Sequence, residues 1–241
     1  MLIMGNPQFI TQDDLGIGDG IPPIPEWQLD PTVNDNSLAI FADIDPEVKN
    51  VFIRLRRIFQ HAQEIPLSTT RFHDLTCFVV HRLLSAPDLP TSPLSPMTEC
   101  IRYAIVLYML TIHGPTYFSH VVMSNSMVVR LVSHLEERDS IARAYDSLDV
   151  WILGVGMVAS VGTLNYESFL QRAKSVATAL LLETPQDAMS HMKRILWLDT
   201  IQPGDIFRPH WDAIFHGTTP FVSPDLAATV SSRDADPGLL L

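Results

Sequence analysis

The 241-residue chain contains only two cysteines, Cys77 and Cys100. A disulfide framework or a zinc site made of several cysteines needs more of them, so the sequence excludes both. Such low cysteine usage is typical of proteins in a reducing, intracellular compartment.

Long hydrophobic runs are also missing. The longest, Tyr103 to Ile112 and Val150 to Val161, fall short of the roughly 17–25 apolar residues that a membrane-spanning helix needs. The segment Met1 to Pro7 has no basic stretch leading into an apolar one, so it does not resemble a secretory signal. We therefore expect a soluble protein with no membrane partner.

Positive charge is scarce. Lys and Arg number 16 against 27 Asp and Glu, a formal net charge of −11, and an acidic surface repels phosphate backbones. In the basic stretch from Lys49 to Phe59 the charges alternate with core residues, which indicates a solvated helix face. The composition thus argues against direct nucleic-acid binding by this chain.

Prolines divide the chain into segments. Six of them fall in the first 46 residues and four lie between positions 87 and 96. These clusters predict an extended Pro-rich arm over residues 1–45 and an internal loop over 86–97. We expect a flexible tail over 218–241. Between these breaks, residues 46–217 form one domain.

Within that domain the apolar residues recur with the period of a helix. Asp45 followed by Pro46 predicts a helix start, because the carboxylate can cap the first turn and proline needs no hydrogen-bond partner there. Residues 120–137 fit a helix, although their valines leave a strand possible. The segment from Phe207 to Phe215 predicts one or two amphipathic turns. The fold class is all-α, a single irregular bundle of about eight helices with no strand.

Two motifs resemble catalytic or cofactor signatures. Gly154, Gly156 and Ala159 match G-x-G-x-x-A, but a dinucleotide site needs a preceding strand and an acidic residue ~20 positions later. Position 174 is a lysine, so we interpret Ser147 to about Val161 as a buried helix whose small residues let a neighbour approach. Asp43 and Asp45 match the D-x-D of metal-dependent phosphatases, without the parallel sheet that this chemistry needs.

His73, Cys77 and His81 have a spacing that suits metal binding, since i, i+4 and i+8 lie along one flank of a helix. A structural zinc site needs a fourth ligand, and no nearby residue marks one. Side chains on that flank can instead be half exposed. We assign no metal ligand, catalytic or cofactor-binding residue, although a triad built from distant positions stays open.

The order of the segments resembles the C-terminal helical region of fungal-specific transcription factors, whose N-terminus carries a binuclear zinc cluster of six cysteines. The resemblance covers roughly residues 46–217. It rests on E-C-I-R-Y-A-I-V-L-Y-M-L-T-I-H-G-P, M-V-V-R-L-V-S-H-L-E, D-V-W-I-L-G-V-G-M-V-A-S-V-G, R-I-L-W-L-D and W-D-A-I-F, in that order. The residues matching the family's motif are Trp151, Leu153, Gly156, Ala159, Phe169 and Trp197.

The resemblance implies an effector domain in the nucleus, acting through transcriptional machinery or co-regulators. A homodimer and a small-molecule effector are both compatible with it. The zinc cluster is missing, so zinc and DNA contact would belong to an absent or partner module, and the chain is either part of a longer factor or a stand-alone member. The alternatives are a small all-α enzyme or carrier for an apolar metabolite, and a structural oligomerisation module.

Overall fold

The computed structural model describes residues 21–29, 44–85, 95–114, 120–139, 144–199 and 203–217. These residues form eight α-helices, a short 3-10 helix at Pro25–Gln28 and no strand, which confirms the all-α prediction. The helices are α1 (Pro46–Glu64), α2 (Thr69–Ser85), α3 (Pro96–His113), α4 (Val121–Asp139), α5 (Ser147–Ala159), α6 (Tyr166–Ala179), α7 (Pro185–Ile195) and α8 (Pro203–His216).

Short polar side chains fix where the helices begin. Asp45 accepts hydrogen bonds from the backbone N–H groups of Glu47 (2.9 Å) and Val48 (3.2 Å), and Pro46 occupies the first helical position. Ser95 caps α3 in the same way through the N–H of Thr98. Each cap satisfies donors that the helix itself leaves unpaired. The predicted start of α1 is therefore confirmed.

Helix α5 lies at the centre of the bundle. Its residues from Leu148 to Met157 are all buried, and it contacts α3, α4, α6, α7 and α8. Helix α3 is buried on most of its surface as well. In the parts of the chain described, no helix has both the length and the apolar character that crossing a bilayer requires.

The segment predicted over residues 120–137, for which the sequence left a strand possible, forms a helix, α4 (Val121–Asp139). Met127, Leu131 and Leu135 are buried at i, i+4 and i+8, so one helical stripe enters the core. This tertiary packing overrides the strand preference of the neighbouring valines.

Helix α8 is longer than the one or two turns predicted, because it begins at Pro203 and passes through Pro209. A proline inside a helix costs roughly 3 kcal/mol through its missing N–H and its steric clash. Phe207 and Trp211 flank it and are fully buried, so their packing offsets that cost.

Part of the N-terminal arm packs on the domain. Trp27 is fully buried, with its ring edge-on to Phe78 at 4.7 Å between centroids. The guanidinium of Arg54 lies 5.6 Å from the Trp27 ring centre and donates a hydrogen bond to the Trp27 carbonyl. Glu26 forms an ion pair with Arg71. Residues 1–20, 30–43, 86–94 and 218–241 lie outside the described part, and with them the tail, most of the arm and most of the predicted loop over 86–97. The loop prediction is wrong at its C-terminal end, because Ser95 caps α3 and Pro96 begins that helix.

Candidate functional site

The glycines of the G-x-G-x-x-A motif lie in the interior of α5, preceded by helical residues. A Cβ on Gly154 would lie 2.7 Å from Met192 Cε, and one on Gly156 would lie 2.2 Å from Phe169 Cε1. Real Cβ contacts are almost never shorter than 3.0 Å. Both positions therefore bring a neighbouring side chain against the α5 backbone, which confirms the packing interpretation of this motif.

The aromatic residues on which the resemblance rests lie near α5 and the helices that pack on it. The indole N–H of Trp151 donates to the carbonyl of Leu196, the residue before Trp197, at 3.0 Å. Phe169 packs on Gly156, and the Trp197 ring lies 5.7 Å from that of Phe207. The motif residues thus join α5 to α6, to the segment after α7 and to α8.

Tyr108 of α3 completes this region, and the sequence did not single it out. Its hydroxyl accepts a hydrogen bond from the backbone N–H of Leu198 at 3.1 Å. Burial raises the pKa of Tyr108 well above its usual range, and the charge of Asp199 adds to the effect. The phenol therefore stays protonated and holds the segment after α7 onto α3.

The D-x-D motif does not form a described site. The carboxylate of Asp45 is engaged in capping α1, and Asp43 lies outside the described residues. The Asp45 N–H also donates to the Thr98 hydroxyl at 3.2 Å, so this carboxylate sits at a contact between α1 and α3.

The flank of α2 that carries His73, Cys77 and His81 is split by packing. His81 is buried in the domain interior, while His73 is exposed and Cys77 half-buried. His73 Nε2 lies 3.6 Å from Cys77 Sγ. The three residues therefore do not converge, because the helix turns His81 inward.

His73 instead meets two histidines that the sequence analysis did not connect with it. His73 Nδ1 lies 3.0 Å from Nε2 of His113, at the end of α3. The His113 ring lies 6.3 Å from that of His120, next to the start of α4. We call His73, Cys77, His113 and His120 the histidine cluster.

Burial favours the neutral form of two histidines in the cluster. Burial lowers the pKa of His113. A hydrogen bond to the Gly114 carbonyl raises this pKa, and the charges of His73 and His120 lower it. Burial and the charge of His73 lower the pKa of His120. Burial, and secondarily Asp74, raises the pKa of the Cys77 thiol. As these side chains are oriented, the described residues place no three metal-ligating groups around one point.

Ser147 and His191 form a second pair that the sequence did not reveal, since 44 positions separate them. Ser147 Oγ lies 2.9 Å from His191 Nδ1. Burial lowers the pKa of His191, the charge of Arg194 lowers it further and Asp187 opposes both. A triad also needs an acid that orients the histidine. Asp187 accepts instead from the N–H groups of Glu183 and Thr184 as part of the α7 cap, so the pair is a helix-to-helix hydrogen bond.

Comparisons with protein-family models, with curated proteins and with solved structures found no match to this chain.

Proposed function

We propose that the chain is the effector or regulatory domain of a transcriptional regulator of the fungal zinc-cluster type, acting in the nucleus through protein partners. The observation that carries the proposal is the contact between residues named by the family motif. Trp151 and Gly156 of α5 contact two distant segments: the Trp151 indole donates to the carbonyl of Leu196, the residue before Trp197, and the Phe169 ring packs on Gly156. These contacts between the residues that carry the resemblance support the proposal.

The distribution of charge supports a recruiting role for the arm. Residues 1–45 hold eight of the chain's 27 acidic residues and none of its 16 lysines and arginines. Isoleucine, leucine, phenylalanine and tryptophan are interspersed among these acids. Acidic residues mixed with apolar ones are typical of activation segments, which bind co-regulators through many weak contacts.

The proposal assigns no DNA contact to this chain. Its net charge of −11 opposes binding to a phosphate backbone. Promoter recognition would come from a zinc-cluster module outside this sequence or from a partner protein.

A reporter assay in yeast tests the proposal, with residues 1–241 fused to an unrelated DNA-binding domain. We expect activation that falls several-fold when Asp13, Asp14 and Asp19 are replaced by Asn. The matched control replaces three exposed acids of the folded domain, Glu64, Glu136 and Glu183, by Gln. It changes the net charge equally and should leave activity unchanged.

Three outcomes separate the possibilities. An inert fusion whose purified chain is folded would overturn the proposal and favour the enzyme or carrier. Equal losses in both triple variants would show that net charge, and not the arm, determines activity. Activation sensitive to the arm variant alone supports the effector role.

A further inference from the structure

Hydrogen bonds fix the tautomers of two histidines in the histidine cluster. The carbonyl oxygen of Gly114 can only accept, so Nδ1 of His113, which lies 3.2 Å from it, carries a proton. Burial lowers the pKa of His113 and so favours its neutral form. In that form Nε2 of His113 has no proton and accepts the Nδ1–H of His73 at 3.0 Å.

This arrangement leaves the second ring nitrogen of His73 as an acceptor that faces a thiol. Its Nε2 lies 3.6 Å from Sγ of Cys77, which is one turn further along α2. His113 and Cys77 therefore lie on opposite sides of the His73 ring, where one orients the ring and the other presents a proton to it. A nucleophile beside a base that a third group orients is the arrangement used in nucleophilic catalysis.

Small molecules in solvent can reach this pair. His73 is exposed and Cys77 is half-buried, whereas the second cysteine, Cys100, is fully buried in the core. Val121 and Val122 follow His120 of the cluster in the chain and are 48% and 61% exposed. Apolar surface is therefore present next to the cluster, and a ligand with a carbon skeleton could contact it.

The Cys77 thiol needs a base in order to react near neutral pH. Burial raises the pKa of this thiol, and the charge of Asp74 raises it further. Little thiolate, which is the nucleophilic form, is then present. His73 can compensate by taking the proton while the sulfur attacks. The other titratable groups that face the pair among the described residues are His113 and His120.

We propose that Cys77 is a nucleophile that adds to α,β-unsaturated carbonyl compounds, with His73 as its general base and His113 as the residue that positions His73. The sulfur bonds to the β-carbon while the thiol proton passes to His73 Nε2. The π electrons of the C=C bond move toward the carbonyl and form an enolate. The imidazolium then returns the proton to the α-carbon, so the product is a thioether that contains every atom of both reactants.

The chemistry of the pair favours this class of electrophile. Conjugate addition moves one proton from sulfur to carbon, and a single base can carry it both ways. It releases no leaving group and consumes no oxidant. Hydrolysis of an ester or amide would also need donors for an oxyanion and a proton for the leaving group.

Alkylation of the full reduced chain by 2-cyclohexenone, followed by mass spectrometry, tests the proposal. We expect one adduct per chain, which peptide mapping places on Cys77 and which Cys77→Ser abolishes. At pH 7, His73→Gln should lower the rate at least about tenfold, because general-base catalysis contributes about 10²–10⁴-fold. Between pH 6 and 8 the rate of this variant should follow the thiolate and rise about tenfold per pH unit, with a shallower rise in the unaltered chain.

Two variants of His113 test its positioning role. The amide oxygen of glutamine can still accept the Nδ1–H of His73, whereas leucine has no acceptor. His113→Gln should therefore keep most of the alkylation rate, and His113→Leu should lower it several-fold and steepen its pH dependence. Equal rates and equal pH profiles in the two variants would overturn this role.

His216→Gln is the matched control, since His216 lies on an exposed face of α8 outside the cluster, and it should leave the rate unchanged. Far-ultraviolet circular dichroism of each variant verifies that it is folded. The absence of an adduct on Cys77 would overturn the proposal. So would equal rates in His73→Gln and the unaltered chain, or a tenfold rise per pH unit in both. The reporter assay does not enter this test, so the two proposals fail separately.

Discussion

Replacing Gly156 by Ala tests whether α5 and α6 approach as closely as the structure describes. The added Cβ would lie 2.2, 2.4 and 2.8 Å from three carbons of the Phe169 ring. Ordinary contact begins near 3.4 Å, so either the ring or a helix must move by about an ångström. Phe169 is fully buried, so its rigid ring cannot avoid the contact by turning out into solvent.

Two opposing contributions determine how much Gly156→Ala changes the free energy of unfolding. Overpacking a dense core costs about 1–3 kcal/mol, and the contact at Gly156 is severe enough for the upper half of that range. Alanine in a helix interior recovers up to about 1 kcal/mol relative to glycine. We therefore expect the free energy of unfolding to fall by about 1–2 kcal/mol. For a chain of this size that lowers Tm by about 2–8 °C.

Two further glycines give matched controls for the same substitution. At Gly154 the added Cβ meets the flexible end of Met192, which can move, so the net change should lie within about 0.5 kcal/mol of zero. At Gly204 no atom lies within 4 Å, so alanine should be neutral or stabilise by up to about 1 kcal/mol. Urea denaturation followed by circular dichroism measures all three.

The relative stabilities of the three alanine variants show whether α5 and α6 approach closely. A Gly156→Ala protein as stable as the unaltered chain would refute the close approach of α5 and α6. Phe169→Leu in the Gly156→Ala background should restore part of the loss, which a double-mutant cycle detects as a coupling of about 0.5–3 kcal/mol.

Three other predictions concern buried or capping polar groups. Burial lowers the pKa of His210 from 6.5 to about 4, so between these pH values the unfolded chain binds a proton that the folded chain does not. The free energy of unfolding should therefore fall by up to about 3 kcal/mol as the pH drops from 6.5 to 4. In urea titrations, His210→Gln should remove most of this dependence of stability on pH, and the exposed control His216→Gln should not. Arg138 Nη1 lies 2.6 Å from buried Asp149 Oδ1, an ion-pair distance without hydrogen-bond geometry. Arg138→Met should cost about 3–5 kcal/mol, and adding Asp149→Asn should recover part of it if the uncompensated charge is the cause. Thr184→Ala removes the α7 cap and should cost about 1 kcal/mol, measured as a lower Tm.

Features that depend on nearby sequence could be predicted. The α5 helix, expected from Ser147 to about Val161, runs from Ser147 to Ala159. Asp146 caps its start, and Gly162 follows its end with a φ of 76°, a conformation that favours glycine. The packing role of Gly154 and Gly156 followed from the same local pattern.

Features that depend on how helices pack could not be predicted. His73 and His113 are 40 positions apart, and only the fold brings them together. Spacing along α2 pointed to His81, because periodicity identifies the residues on one flank but not where that flank meets the core. The sequence predicted only one or two turns from Phe207 to Phe215, and the burial of Phe207 and Trp211 explains why α8 continues through Pro209.

Docking of Trp27 gives the effector proposal a quantitative consequence. Truncating a buried indole costs about 3 kcal/mol or more, and ordering the docked residues offsets part of that gain. If docking has a net free energy of about 1–2 kcal/mol, the docked form of the arm outnumbers the free form by about 5–30-fold. A partner that binds only the free arm loses affinity by the same factor. Trp27→Ala should therefore raise reporter activation, whereas the same variant would lower it if the partner recognises the docked arm.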